Sequence, residues 1–116
     1  MTMPDILSIH RPEEGRVVLS LKIDAGLPAF DGHFPGCPIL PGVVQLDWAM
    51  RLAGRYLGLK QRVADDFQVK FRHTIVPNSA VTLSLGLDDV RHRLNFEYRL
   101  GDEIASSGRI RLEPQP

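Results

Sequence analysis

Apolar and polar positions alternate from Val17 to Ile23. Val17, Leu19, Leu21 and Ile23 fall on one side, and Val18, Ser20 and Lys22 on the other. A period of two marks a strand with one buried face. An earlier run, Asp5 to His10, predicts a short strand ending near Pro12, and Glu13-Glu14-Gly15 is the turn that pairs the two as a hairpin. Between Gly26 and Gly42 neither periodicity holds and the residues are those of turns. From Gly42 to about Gly58 the period changes. Val43, Leu46, Ala49, Met50, Ala53 and Leu57 recur every three or four residues, which predicts a helix of roughly 25 Å at 1.5 Å per residue. That stripe is expected to face the core. Val44 and Trp48 then lie opposite it with Arg51 and Arg55, where two large apolar groups predict a surface for a partner. Asp47 sits at the edge of the stripe.

Four strand-like runs follow the helix. Val69, Phe71, His73 and Ile75 alternate with Lys70, Arg72 and Thr74 before Pro77-Asn78-Ser79 turns the chain. Val81 to Leu85 comes next, then a turn at Asp88-Asp89. Leu94, Phe96 and Tyr98 alternate up to Gly101-Asp102, and a last strand runs from Ile104 to Leu112. Six strands with one long helix early in the order imply an α+β fold, an antiparallel β-sheet wrapped around a long central α-helix.

Composition narrows the function classes. The 116 residues are expected to form a single domain spanning 1–116. A chain of this size leaves little room for a deep private pocket, so a long ligand needs a second subunit for part of its wall. Lys+Arg and Asp+Glu both number 14, which argues against nucleic acid or an anionic membrane as the main partner. The first residues lack the pattern of an export signal, and no apolar run reaches the length of a membrane span. A lone cysteine, Cys37, forms no internal disulfide and fits a reducing cytoplasm. It reads as a loop filler, with no evident base beside it. His10, His73 and His92 have no metal-ligand spacing and read as ordinary residues, His73 being the one that could line a site. No metal or other cofactor is expected.

The chemistry concentrates between Gly32 and Asp47. His33 lies in a loop stiffened by Pro35, Pro38 and Pro41, which runs into a helix opening at Gly42. The first N–H groups of a helix are unpaired and carry partial positive charge. Asp47 stands fourteen residues after His33, one turn into the helix. A base, an acid and an anion-stabilising helix end are the equipment for proton abstraction beside a carbonyl.

Gly32-His33-Phe34-Pro35-Gly36 followed by Pro38-Ile39-Leu40-Pro41-Gly42-Val43 resembles the signature of the hot-dog-fold β-hydroxyacyl-(acyl carrier protein) dehydratases. Lys70-Phe71-Arg72 with Val76-Pro77 is similar to that family's strand after the helix, and Glu103 to Gly108 is loosely similar to its close. The string Pro38 to Ala49 is similar to dehydratases encoded with aryl polyene biosynthesis. The resemblance implies a hot-dog fold and a dimer, either a homodimer or a heterodimer with a related dehydratase. It implies active sites at the subunit interface, His33 coming from one chain and Asp47 from the helix of the other. It also implies that the Gly42 N–H points at the thioester oxygen and that the Ile39 carbonyl orients the histidine ring. The substrate would be an acyl chain linked through phosphopantetheine to an acyl carrier protein, with no cofactor. Phe34, Ile39, Leu40 and Trp48 are expected as packing or as the wall of the acyl tunnel.

Two positions depart from the family pattern. Many members carry glutamate where Asp47 stands, and one methylene fewer draws the carboxyl back by roughly 1.5 Å, which invites a bridging water. The glutamine often found four residues further on is Arg51 here, a cation that favours the ionised form of a neighbouring carboxylate. The expected reaction is dehydration of a (3R)-hydroxyacyl chain to the trans-2-enoyl product in fatty acid or aryl polyene biosynthesis. Neutral His33 takes the α-proton, the Gly42 amide holds the enolate charge, and Asp47 protonates the leaving hydroxyl. Two other readings stay open. One is a hot-dog thioesterase, in which His33 has no clear task. The other is the structural half of a heterodimeric dehydratase.

Overall fold

The computed structural model describes residues 3–27, 30, 39–60 and 63–114. Among these residues the sheet is six-stranded and antiparallel, in the order β1-β2-β4-β5-β6-β3. Its strands are β1 (Asp5–His10), β2 (Arg16–Lys22), β3 (Val63–Phe71), β4 (Ala80–Asp88), β5 (Arg93–Leu100) and β6 (Glu103–Leu112), with the helix α1 (Gly42–Leu57) between β2 and β3. Period-two burial appears where the pattern predicts it. Leu19 pairs with Leu83, Leu83 with Tyr98, and Leu94 with Ile110, and all are buried on the inner face. The helix lies across that face, nearest β2 and β4. Gly108 is required where β6 crosses Phe96, because a Cβ there would stand 2.6 Å from the Gln68 carbonyl and 2.7 Å from the Phe96 ring.

The helix begins after Pro41, whose extended backbone (φ −61°, ψ 147°) serves as N-cap. It ends at Gly58, left-handed at φ 69°, whose N–H returns to the Ala53 carbonyl. Its buried face is Gln45, Trp48, Ala49, Leu52 and Ala53. This corrects the expected orientation. Trp48 is 1% exposed and packs in the core, not on an outward surface, whereas Val43 is 74% exposed. Val44, also expected to face outward, packs partly buried against the core, as Leu46, Met50 and Leu57 do. Apolar residues extend beyond that stripe to Val44, Trp48 and Leu52, so the period alone does not choose the face, and the broadest side chain went to the sheet.

The strand after the helix is also displaced. β3 starts at Val63 and stops at Phe71, so His73 and Ile75 lie beyond it. The cause is a bulge in β6: Tyr98 pairs with Ser106 and Arg99 with Ile104, leaving Ala105 extra. The Ala105 carbonyl accepts from both Arg72 N–H (2.8 Å) and His73 N–H (3.1 Å), which bends the chain out of the ladder. Ile75 is buried, and its carbonyl accepts from Leu40 N–H at 2.7 Å. The segment before the helix is thereby tied to the segment after β3.

Candidate active site

That tie creates a cleft. Ile39, Leu40, Pro41, Gly42 and Gln45 form one wall, and Phe71, Arg72, His73 and Thr74 the other, around about 260 Å³. At Gly42 the two walls approach closely. A Cβ at this position would stand 2.6 Å from the Phe71 ring, so only glycine lets the aromatic edge lie over the helix start. The Pro41 carbonyl accepts from Val44 and Gln45 N–H, both at 3.1 Å. The N–H groups of Gly42 and Val43 precede these bonds and have no acceptor within the helix.

Beneath the helix start lies a buried polar network. Gln45, 3% exposed, donates from Nε2 to the Leu40 carbonyl (3.1 Å) and accepts at Oε1 from Ser106 Oγ (2.7 Å). Its own carbonyl accepts from the Tyr98 hydroxyl at 2.7 Å. Burial, reinforced by the nearby negative charge of Asp47, holds the Tyr98 hydroxyl in its neutral, donating form. The network fixes the first turn of α1 against β5 and β6, and with it the position of the Gly42 amide. Sequence reasoning missed all three partners. The available signals were a glutamine among the apolar helix residues and Ser106, which shares inward parity with Ile110 and Leu112.

Among the expected site residues, the structure brings Gly42, Ile39 and Leu40 to the cleft, and His73 lines it as anticipated. Leu40 is buried and contributes its backbone groups to the wall. Asp47 does not line this cleft. Its side chain is 53% exposed and its Oδ2 accepts from Arg51 Nε at 2.8 Å, an i,i+4 ion pair on the outward side of the helix. Trp48 lies in the core beneath and is not a cleft residue. His33, Phe34 and Cys37 lie outside the described residues. His73 Nε2 stands 3.4 Å from Glu103 Oε2 at the cleft's rim. Among the described residues no group of three or more His, Cys, Asp or Glu side chains is placed to hold a metal ion.

Comparison with known proteins places this geometry. A family model described as ApeI-like, ApeI dehydratase, matches residues 9–109. The 3-hydroxyacyl-(acyl-carrier-protein) dehydratase FabZ of Herpetosiphon aurantiacus is 32% identical over 118 residues, covering 81% of this chain and 82% of that protein. The protein of the same name from Pelotomaculum thermopropionicum is 33% identical over 117 residues, covering 90% and 81%. Among solved structures, the dehydratase heterocomplex ApeI:P from Xenorhabdus doucetiae superposes with a TM-score of 0.88 at 34% identity, covering 94% of this chain and 96% of its counterpart.

Proposed function

The chain belongs to the ApeI-like dehydratase family, and we propose that it removes water from a (3R)-hydroxyacyl chain carried by an acyl carrier protein, giving the trans-2-enoyl thioester. Its sheet curled around one helix is the hot-dog fold. The observation that carries the catalytic reading is the Gly42 amide, free of intrahelical acceptors and set at the wall of a cleft beneath the Phe71 ring.

In this reaction His33 takes the α-proton from the thioester. Negative charge moves to the thioester oxygen, where the Gly42 N–H donates to it. One such donor in a dry site is worth roughly 2.7–4 kcal/mol. The electron pair then forms the α,β double bond and expels the β-hydroxyl, which leaves as water on taking a proton. A water oriented by the Asp47 carboxylate, which comes from the helix of the second chain and is held by Arg51 at 2.8 Å, delivers that proton. Transfer of the proton from His33 back to the acid side resets the site. Ile39 and Leu40 wall the entry to the acyl tunnel with Phe34.

Two features support a two-chain site. Asp47 lies outside its own chain's cleft, on the outward side of the helix near exposed Val43. The free edge of β3 carries Val63, Phe67 and Phe71 exposed, an apolar edge that a second chain would cover. The partner is either another copy or a related dehydratase chain, and the likeness to a chain of a dehydratase heterocomplex favours the related chain. No described helix is long and apolar enough to cross a membrane, and we place the enzyme in the cytoplasm with its carrier-bound substrate.

Incubation with a (3R)-hydroxyacyl carrier substrate, alone and with a related dehydratase chain, tests the reaction. Formation of the conjugated enoyl thioester is expected. Release of free carrier thiol without enoyl product would instead identify a thioesterase.

A further inference from the structure

The catalytic reading leaves one buried polar side chain of the cleft without a chemical task. On the helix wall, Ile39, Leu40, Pro41 and Gly42 offer apolar side chains and backbone, and Gln45 is the polar side chain among them. Arg72 and His73 on the opposite wall are exposed, and His73 faces Glu103 at the rim. Gln45 is buried, and its carboxamide is held at both ends. Nε2 donates to the Leu40 carbonyl at 3.1 Å, and Oε1 accepts from Ser106 Oγ at 2.7 Å. A carboxamide nitrogen carries two N–H groups. The second one has no acceptor among the described residues. A buried donor needs a partner, and here the cleft is where one can enter.

Helix geometry sets where that donor lies. Residues three apart share a face, with Cβ positions about 5–6 Å apart, so Gln45 stands one turn behind Gly42. Helical side chains lean toward the N-terminus, and the bond to Leu40 shows that this one reaches five residues back. Only Pro41 separates the Leu40 carbonyl from the Gly42 amide. The carboxamide and the unpaired Gly42 N–H thus occupy the same end of the helix, on the same wall of the cleft. Ser106 adds to this: a hydroxyl donated to Oε1 polarises the amide and makes its N–H groups better donors.

We propose that Gln45 is a catalytic residue, its second Nε2–H donating to the thioester oxygen beside the Gly42 N–H as negative charge builds there. The inference rests on the dehydratase reading and adds a second oxyanion donor to it. Donors fixed in advance in a buried site need no reorganisation when the charge arrives. The bonds to Leu40 and Ser106 are what fix this one.

The discriminating substitution is Gln45→Glu. Burial favours the neutral form of a carboxyl group, which accepts from Ser106 at one oxygen and donates its single O–H to Leu40. Both internal bonds survive and no donor is left for the substrate. Dehydration of a (3R)-hydroxyacyl carrier substrate is measured in the two-chain assembly at one mildly acidic pH, with folding of each variant checked by circular dichroism. Gln45→Glu is expected to lower kcat on the order of 10²-fold, with KM within about threefold of the parent. Ser106→Ala leaves the second N–H in place and is expected to lower kcat by no more than about fivefold. Gln45→Leu with Ser106→Ala removes the carboxamide and its hydroxyl partner together. It is expected to match Gln45→Glu, and it decides the question if that variant does not fold. Infrared difference spectra of the bound enoyl product, isotope-labelled at the thioester carbonyl carbon, read the hydrogen bonding at that oxygen. The carbonyl band is expected at higher wavenumber in the folded Gln45 variant and near its parental position in Ser106→Ala. A kcat within about threefold of the parent in a folded Gln45 variant, an equal fall in Ser106→Ala, or an unmoved band overturns the proposal. Parent turnover with indifferent Gln45 variants sinks this inference alone, whereas a parent assembly that forms no enoyl product sinks the dehydratase reading with it.

Discussion

Gly42 answers two demands at one position. It opens the helix, where an amide is left without an intrahelical acceptor, and it leaves the space that the Phe71 ring fills. Gly42→Ala forces the exposed Phe71 ring aside and puts a methyl group beside the amide, where the thioester oxygen would approach. We predict a fall in kcat of about tenfold or more with little change in the unfolding midpoint; an unaltered kcat would show that turnover does not require glycine at this position. Asp47→Asn should lower kcat on the order of 10²-fold. Its half-exposed ion pair with Arg51 is worth at most about 1 kcal/mol, so a urea titration should show nearly parental stability. A parental rate in that variant would remove Asp47 from the reaction. At this scale the sequence was informative about Gly42, since the loop-to-helix motif names it. It was silent about Phe71 as the neighbour that requires glycine, because that contact joins residues 29 positions apart.

Helix α1 shows where pattern reading succeeds and where it stops. Its limits were legible from Pro41-Gly42 and Gly58, since capping chemistry is local. Its orientation was not, because apolar residues on nearly every side leave the choice of face to packing with distant strands. Trp48 reports that choice. Trp48→Ala should destabilise the fold by about 3–5 kcal/mol, read as a lower urea midpoint. A surface residue would lose less than about 0.5 kcal/mol, and that result would contradict the buried placement. Gln45→Ala strands the Ser106 hydroxyl and the Leu40 carbonyl in the interior, at a cost of about 1–3 kcal/mol. A drop in kcat beyond the loss of folded protein would show that the network also sets the helix start. The end of β3 was misread for a similar reason. The apolar alternation continues to Ile75, and the Ala105 bulge that bends the chain away belongs to another strand.

At the scale of the whole molecule, the six strands, their antiparallel pairing and the enclosed helix follow from alternation, turns and one change of period. The placement of charge does not, because a net charge of zero conceals which face each residue occupies. The sites proposed here also need more than one chain, with His33 and Gly42 on one side and Asp47 on the other. The central claim is that this chain supplies the base for dehydration. Enoyl formation from a (3R)-hydroxyacyl carrier substrate, measured for the parent and His33→Ala in the same two-chain assembly, tests it most directly. The account predicts a fall of roughly 10²–10⁴-fold with the fold intact. A rate within about threefold of the parent would contradict it, since a general base contributes far more than that.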